Sequence, residues 1–261
     1  MSYPELDEAR SDWRRHAEAD CLKGRVIVVT GAGDGIGRAA AKTFATYGAH
    51  VVLLGRTRQK LEAVFDWIEA NTQTQAVIVP MDLEAMNDES AAALHDAIAD
   101  TYGRLDGILH NASLLGPKVP VAHYPSAEWQ RVMTVNSYSP FVLTKALLPL
   151  LEASAQASVV FTSSSVGRKG RAYWGAYAVS KFAQEGLMET LADELQQTSN
   201  VFVASLNPGG TRTAMRAEAY PAENPTDVPA PEAHMDLYLH LFADAPPALH
   251  GGKLDAREWA G

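Results

Sequence analysis

RVIVVTGAGDGIGRAAAKTFATYG, residues 25 to 48, is the stretch whose reading decides the fold. Its opening, RVIVVT, is a continuous apolar and β-branched run, the pattern of a strand buried on both faces. Its closing part, GRAAAKTFATYG at 37 to 48, places apolar residues at helical spacing. Between them stands TGAGDGIG, residues 30 to 37. Glycines at 31, 35 and 37 allow a tight turn, a close approach of backbone to a pyrophosphate and close packing of the helix on the strand. The helix amino terminus adds free N–H groups and partial positive charge. A glycine triplet alone is a weak signal; strand, glycines and helix in this order form the context that gives it meaning.

Outward from that unit the same alternation repeats. Strand-length apolar runs recur at 50 to 55 (HVVLLG), 75 to 80 (QAVIVP), 105 to 110 (LDGILH), 158 to 163 (SVVFTS) and 201 to 206 (VFVASL). Helix-length segments such as ESAAALHDAIADTYG lie between them. Such alternation predicts right-handed βαβ crossovers. The expected fold class is therefore α/β: one doubly wound Rossmann domain with a mostly parallel sheet of six to seven strands. We place that domain at 24 to 261, after an amino-terminal extension at 1 to 23. Residues 214 to 235 break the pattern with prolines at 221, 225, 229 and 231. They are read as a surface excursion or, on loop-function grounds, as a lid over a substrate.

Composition excludes several classes. A formal charge of −9, from 22 basic and 31 acidic residues, argues against nucleic acid as the main partner. Cys21 is the single cysteine, so no intrachain disulfide and no multi-cysteine metal site can form. The eight histidines show no metal-ligand spacing, and no metal is expected. The charged amino terminus lacks the apolar run of a secretory signal, and ALLPLL at 146 to 151 is too short to span a membrane. A cytoplasmic protein with no membrane partner is the expectation.

A ribose 2′-hydroxyl is usually held by an acid at the end of the second strand. Here that strand ends Leu54-Gly55-Arg56-Thr57-Arg58. Arg56 suits bidentate phosphate binding, so NADP (NADPH) is favoured over NAD, although a solvated surface arginine would look the same. Asp34, inside the glycine loop, runs against that preference.

SSSVGRKGRAYWGAYAVSK, residues 163 to 181, carries the candidate chemistry. Tyr177 and Lys181 are an i, i+4 pair on one helical face, within reach of one cofactor. A nearby cation favours the phenolate and makes Tyr177 a usable proton donor or acceptor. Tyr173 lacks such a partner, and it is placed with Trp174 in a packing or substrate-wall role. Ser163, Ser164 and Ser165 all lie just past a strand end, and geometry does not choose among them. Asn136 sits inside the helix-like segment 127 to 151, four residues before Pro140, whose missing N–H leaves the Asn136 carbonyl without its helical donor. A plain proline kink is the other reading.

TGAGDGIG, HNAS at 110 to 113, the Ser-then-Tyr-xxx-Lys pattern ending at Lys181, and NPGGTRT at 207 to 213 together resemble the classical short-chain dehydrogenase/reductases, from about residue 24 to about 215. FTSSSVGRKGR and NPGGTRTAMR look most like a bacterial oxidoreductase subgroup. The resemblance implies that Gly31, Gly35 and Gly37 form the pyrophosphate loop, that Asp82 contacts adenine, and that Asn111 supports the cofactor. Pro208, Gly209 and Thr213 would border the nicotinamide. Gly33, Asp34, Ile36, Leu83, Ala112 and Thr211 complete the implied cofactor contacts, with Arg56, Tyr177 and Lys181. The family's serine lies 13 residues before the tyrosine and three before a glycine, which selects Ser164. Its hydroxyl would polarise the reacting oxygen, with Ser163 and Ser165 left to satisfy backbone groups at the strand end. The Asn136 carbonyl would bind a water joining the lysine to solvent.

Two departures stand out. The usual Asn-Asn-Ala-Gly turn is His110-Asn111-Ala112-Ser113, and the usual carboxy-terminal Asp-Gly-Gly is Leu254-Asp255-Ala256-Arg257. The implied activity is hydride transfer between NADP(H) and a carbonyl or secondary alcohol, with Tyr177 as acid/base and reduction as the expected direction. The rivals are an NAD-dependent alcohol dehydrogenase and a non-catalytic dinucleotide sensor. The substrate pocket is expected to draw on 113 to 124, Tyr173, Trp174 and the lid. A homodimer or homotetramer is expected, because the segments at about 126 to 152 and 174 to 198 carry more apolar residues than one sheet face would bury, and because the family is usually oligomeric.

Overall fold

A computed structural model describes residues 18–259. Among these, the six predicted apolar runs and one more become the strands β1 (Val26–Thr30), β2 (His50–Gly55), β3 (Ala76–Pro80), β4 (Gly107–His110), β5 (Ala157–Thr162), β6 (Val201–Asn207) and β7 (Lys253–Asp255). They pair in the order β3-β2-β1-β4-β5-β6-β7, and every pair is parallel. The seventh strand is formed by the atypical Leu254-Asp255 segment, where Leu206 pairs with Leu254.

The crossovers are helical: α1 (Gly35–Thr46), α2 (Arg58–Asn71), α3 (Asp88–Tyr102), α4 (Ser126–Met133), α5 (Ser139–Glu152), α6 (Gly175–Leu195), α7 (Ala214–Ala219), α8 (Met235–Ala243) and a last turn α9 (Ala256–Trp259). Alternate strand residues feed opposite faces, as a period of two requires. Ile27, Val29 and Leu53 pack with Phe44 of α1, Leu61 and Ile68 of α2, and Phe242 of α8. Val26, Val28 and Val52 pack with Leu94 of α3, Leu147 of α5 and Met188 of α6. Both sheet faces are covered, which is why the strands read as unbroken apolar runs rather than alternating ones. No helix among the described residues is long and apolar enough to cross a membrane.

Two local outcomes differ from the sequence reading. The segment expected as one helix at 127 to 151 widens into a π-helical turn at Thr134–Tyr138, directly before Pro140. A proline there cannot give its N–H to the preceding turn, and the wider turn absorbs the mismatch. Of the proposed extension, residues 1 to 17 lie outside the described residues. Leu22 is fully buried in the core, and its N–H donates to the Tyr47 carbonyl at 2.9 Å, so the packed domain begins before residue 24.

Strand order reverses between β1 and β4, which opens a crevice at their carboxyl ends. Thr30 ties the two strand ends together. Its Oγ1 donates to the Leu109 carbonyl at 3.2 Å and accepts from the N–H groups of Asn111 and Ala112 at 2.9 and 3.0 Å.

Candidate active site

The glycine loop is shaped by what it excludes. Gly31 has φ +67°, and a Cβ there would lie 3.0 Å from the Ala112 Cα. A Cβ on Gly37 would lie 2.3 Å from the Gly31 carbonyl oxygen and 2.6 Å from Asn111 Nδ2. Helix α1 therefore seats its first turn directly on the loop, and the bare backbone faces the crevice. Asp34 caps α1 by accepting from the Gly35 N–H at 2.7 Å. Its other oxygen accepts from Lys60 Nζ, and that ion pair holds the Asp34 carboxyl below its usual range. The contrary charge in the loop is thus neutralised by a residue the sequence reading passed over. Lys60 carries no motif; the signal was its place on the first turn of α2, opposite the loop. Arg56 is exposed and, among the described residues, has no carboxylate partner, whereas Arg58 is paired with Glu62 at 2.8 Å. Across the crevice, Asp82 Oδ1 accepts from the Glu84 N–H at 3.0 Å and shapes the turn that carries Leu83.

These groups border one cavity of about 550 Å³ that continues to the carboxyl end of β5. It takes in every candidate site residue except Gly37 and Asn136. Gly37 lies behind the loop as a packing contact.

At the far end stand the proton-transfer candidates. Tyr177 and Lys181 are buried on one face of α6, with Lys181 Nζ 5.6 Å from the phenol ring centre. Ser164 lies within hydrogen-bonding reach of the Tyr177 phenol. Burial pushes the Tyr177 phenol up to about 12, and the Ser164 hydrogen bond opposes that rise. Burial also pushes Lys181 down to about 7, against a Coulombic pull from Glu185. Desolvation is thus the largest influence on both groups, where the sequence argument relied on their mutual stabilisation. Lys181 Nζ donates to the Thr162 carbonyl at 2.8 Å and to Gln184 Oε1 at 2.9 Å.

The three serines are no longer equivalent. Ser163 borders the cavity and donates its hydroxyl to the buried Glu185 carboxylate, so its expected backbone role is corrected. Helical spacing alone could have found Glu185, because it is one turn past Lys181. Asn136 is fully buried; its side chain accepts from the Leu114 N–H at 2.7 Å and donates to the Leu114 carbonyl at 2.8 Å and to Ser180 at 3.0 Å. Its side chain fixes the loop after β4, which leaves only its backbone carbonyl for any relay. His110 replaces the family's first asparagine as a fully buried ring, 2.8 Å from Thr144 Oγ1 and stacked on Phe161 at 4.8 Å. Burial pushes it down to about 3, so it is neutral.

The outer wall is apolar and aromatic, built from Leu114, Leu115, Trp174, Met215, Ala219 and Tyr220. Two expectations are corrected here. Tyr173 is 57% exposed with φ +71°, and it turns away from the cavity. None of residues 116 to 124 lines the cavity; the Tyr124 ring instead fills the space beside Gly116 and Gly175. Only the first part of the 214 to 235 segment borders the cavity. The later part packs along α1, with His234 at 3.0 Å from Thr211. Lys118 braces the wall: its Nζ donates to the Ala219 carbonyl at 2.7 Å and lies 4.8 Å from the ring centres of both Trp174 and Tyr220.

Known proteins share this fold. YciK of Escherichia coli (strain K12), an uncharacterized oxidoreductase, is 52% identical over 238 residues, covering 91% of this chain and 94% of that protein. A chain from Shigella flexneri 2a, assigned to the short chain dehydrogenases and complexed with NADP, is 51% identical with a TM-score of 0.87, covering 92% of this chain and 100% of that one. Its counterpart from Escherichia coli CFT073, complexed with NADPH, is 52% identical with a TM-score of 0.87, covering 92% of this chain and 99% of that one. The short chain dehydrogenase pattern itself matches residues 25–224, from β1 to just past α7. A parallel seven-stranded sheet, a glycine loop at its switch point and a buried Tyr-Lys pair at its carboxyl edge therefore have one common origin, and the chain belongs to the short chain dehydrogenase family, an oxidoreductase acting with NAD(P).

Proposed function

We propose that the protein is an NADP(H)-dependent oxidoreductase that transfers hydride between the nicotinamide and a carbonyl or secondary alcohol, with Tyr177 as acid/base. The observation that carries this reading is the meeting of Ser164, Tyr177 and Lys181 in the same cavity as the glycine loop. The residues fit a dinucleotide. A Cβ at Gly31 or Gly37 would crowd the cradle, and Arg56 lies at the end of β2 free of any described carboxylate. Lys60 adds a second cation at that end and neutralises Asp34. Relatives at 51 and 52% identity were solved with NADP and NADPH, which supports the same choice here.

When bound, the cofactor supplies hydride from its nicotinamide ring. Ser164 donates a hydrogen bond to the substrate oxygen, stabilising the negative charge that develops there. Tyr177 gives its proton to that oxygen. A phenol held at about 12 by burial is fully protonated at neutral pH, which suits the reductive direction. Lys181 would hold the ribose, and its ammonium form favours the phenolate left behind. The Asn136 backbone carbonyl, beside Pro140, supports the return of a proton to Lys181. Self-association through α5 and α6 is part of the same proposal, because Tyr138, Phe141, Val179 and Phe182 are exposed there.

The test is a screen of aldehydes and ketones with purified protein and NADPH, using Tyr177→Phe as the blank. We expect the variant to bind NADPH as the wild type does and to lose turnover. Turnover retained by Tyr177→Phe sinks the assignment.

A further inference from the structure

Glu185 lies one turn beyond Lys181 on α6 and is 2% exposed. Its Oε1 accepts from the Ser163 hydroxyl and from Arg168 Nε at 3.3 Å, and its Oε2 accepts from the Ser205 hydroxyl at 2.6 Å. Arg168 donates in turn to the Leu254 carbonyl at 2.8 Å. Every neighbour of the two oxygens is a donor, which is the environment of an ionised carboxylate. Lys181, 1% exposed, is bonded only to neutral acceptors, the Thr162 carbonyl and the Gln184 amide. A buried ammonium with neutral partners needs a counter-charge close by to keep its proton.

We propose that Glu185 is a positioning residue of the active site, a buried counter-charge that favours the ammonium form of Lys181. The proposal rests on the reading of Tyr177 and Lys181 as the proton-transfer pair. Arg168 faces Glu185 from the turn after β5, Lys181 acts on it from its own helix, and β6 presents only the Ser205 hydroxyl. Other charges on the packed elements are paired elsewhere: Lys253 of β7 with Glu189, and Asp255 with Arg257.

The experiment reads the Lys181 charge directly and needs no substrate. In protein carrying isotope-labelled lysine, NMR follows the Lys181 Cε shift against pH, with the signal assigned by its loss in Lys181→Met. Glu185→Gln, which keeps the shape and removes the charge, is expected to lower the Lys181 midpoint on the order of one pH unit. Arg168→Gln, which removes the cation that competes for Glu185, is the second arm and is expected to raise that midpoint. If Glu185→Gln does not fold, the Arg168→Gln arm decides alone. A folded variant that leaves the Lys181 midpoint in place overturns the proposal. Failure of the catalytic reading looks different: Tyr177→Phe would then turn over, whatever the Lys181 midpoint does.

Discussion

Replacing Gly37 by Ala tests whether helix α1 is seated on the glycine loop as described. The added Cβ would stand 2.3 Å from the Gly31 carbonyl oxygen and 2.6 Å from Asn111 Nδ2. Contacts under 3.0 Å are not sustained, so the helix start must retreat by about 0.7 Å from a loop that is itself tied to β4 through Thr30. Overpacking of this kind costs about 1–3 kcal/mol, while Ala in place of Gly within a helix returns about 1 kcal/mol. A net loss of up to about 2 kcal/mol lowers the melting temperature by up to roughly 8 °C for a domain of this size. The retreat also draws the first N–H groups of α1 away from the crevice. A charge-assisted hydrogen bond contributes about 1.5–3 kcal/mol, so NADPH should bind at least about tenfold more weakly. Calorimetry reads the first effect and fluorescence titration with NADPH the second. Gly170→Ala, where a Cβ meets nothing within 4 Å, is the control and should melt with the wild type. A Gly37→Ala protein with wild-type melting and wild-type NADPH affinity would refute the seating.

Other consequences can be measured separately. Arg56→Ala should weaken NADPH by about 10- to 100-fold, the value of a charged hydrogen-bond pair, and leave NADH little changed; equal losses for both cofactors would remove Arg56 from the phosphate site. His110 is held down at about 3 against an ordinary 6.5, so it is neutral in both folded and unfolded chains above pH 6.5, where its contribution to stability is complete. Below that the unfolded chain takes up a proton that the folded one refuses, and about 2 kcal/mol is lost by pH 5. In His110→Asn that part of the slope should vanish; denaturant melts at pH 7 and 5 in both proteins compare the two. Phe182→Glu, at an exposed position on α6, should shift the protein to a smaller species in light scattering, and an unchanged mass would remove this face from the proposed self-association.

Much of the fold was legible because both faces of the sheet are buried. Residues 25 to 30, 50 to 55 and 201 to 206 are unbroken apolar runs for that reason, and strand positions followed directly. β7 was harder, since a three-residue edge strand has too few positions to show a period. Tyr177 and Lys181 were placed together by helical spacing alone, whereas Ser164 needed the family resemblance. What spacing could not show was long-range partnership. Lys60 meets Asp34 from another helix, and Ser205 meets Glu185 from another strand. Tyr173 was misplaced because its positive φ turns the chain immediately before α6, a backbone choice that a tyrosine does not advertise.

The brace at Lys118 has a consequence for how the protein can change. Three separate segments, the loop after β4, the start of α6 and the stretch carrying α7, meet at this one cation, which is held by two ring faces and a backbone carbonyl. Trp174 in turn packs on Tyr177, with ring centres 5.8 Å apart. A single codon at position 118 therefore bears on the outer wall directly and on the proton-handling groups only through one indole. A duplicated gene that changed there would have to keep Trp174 in place to keep its chemistry.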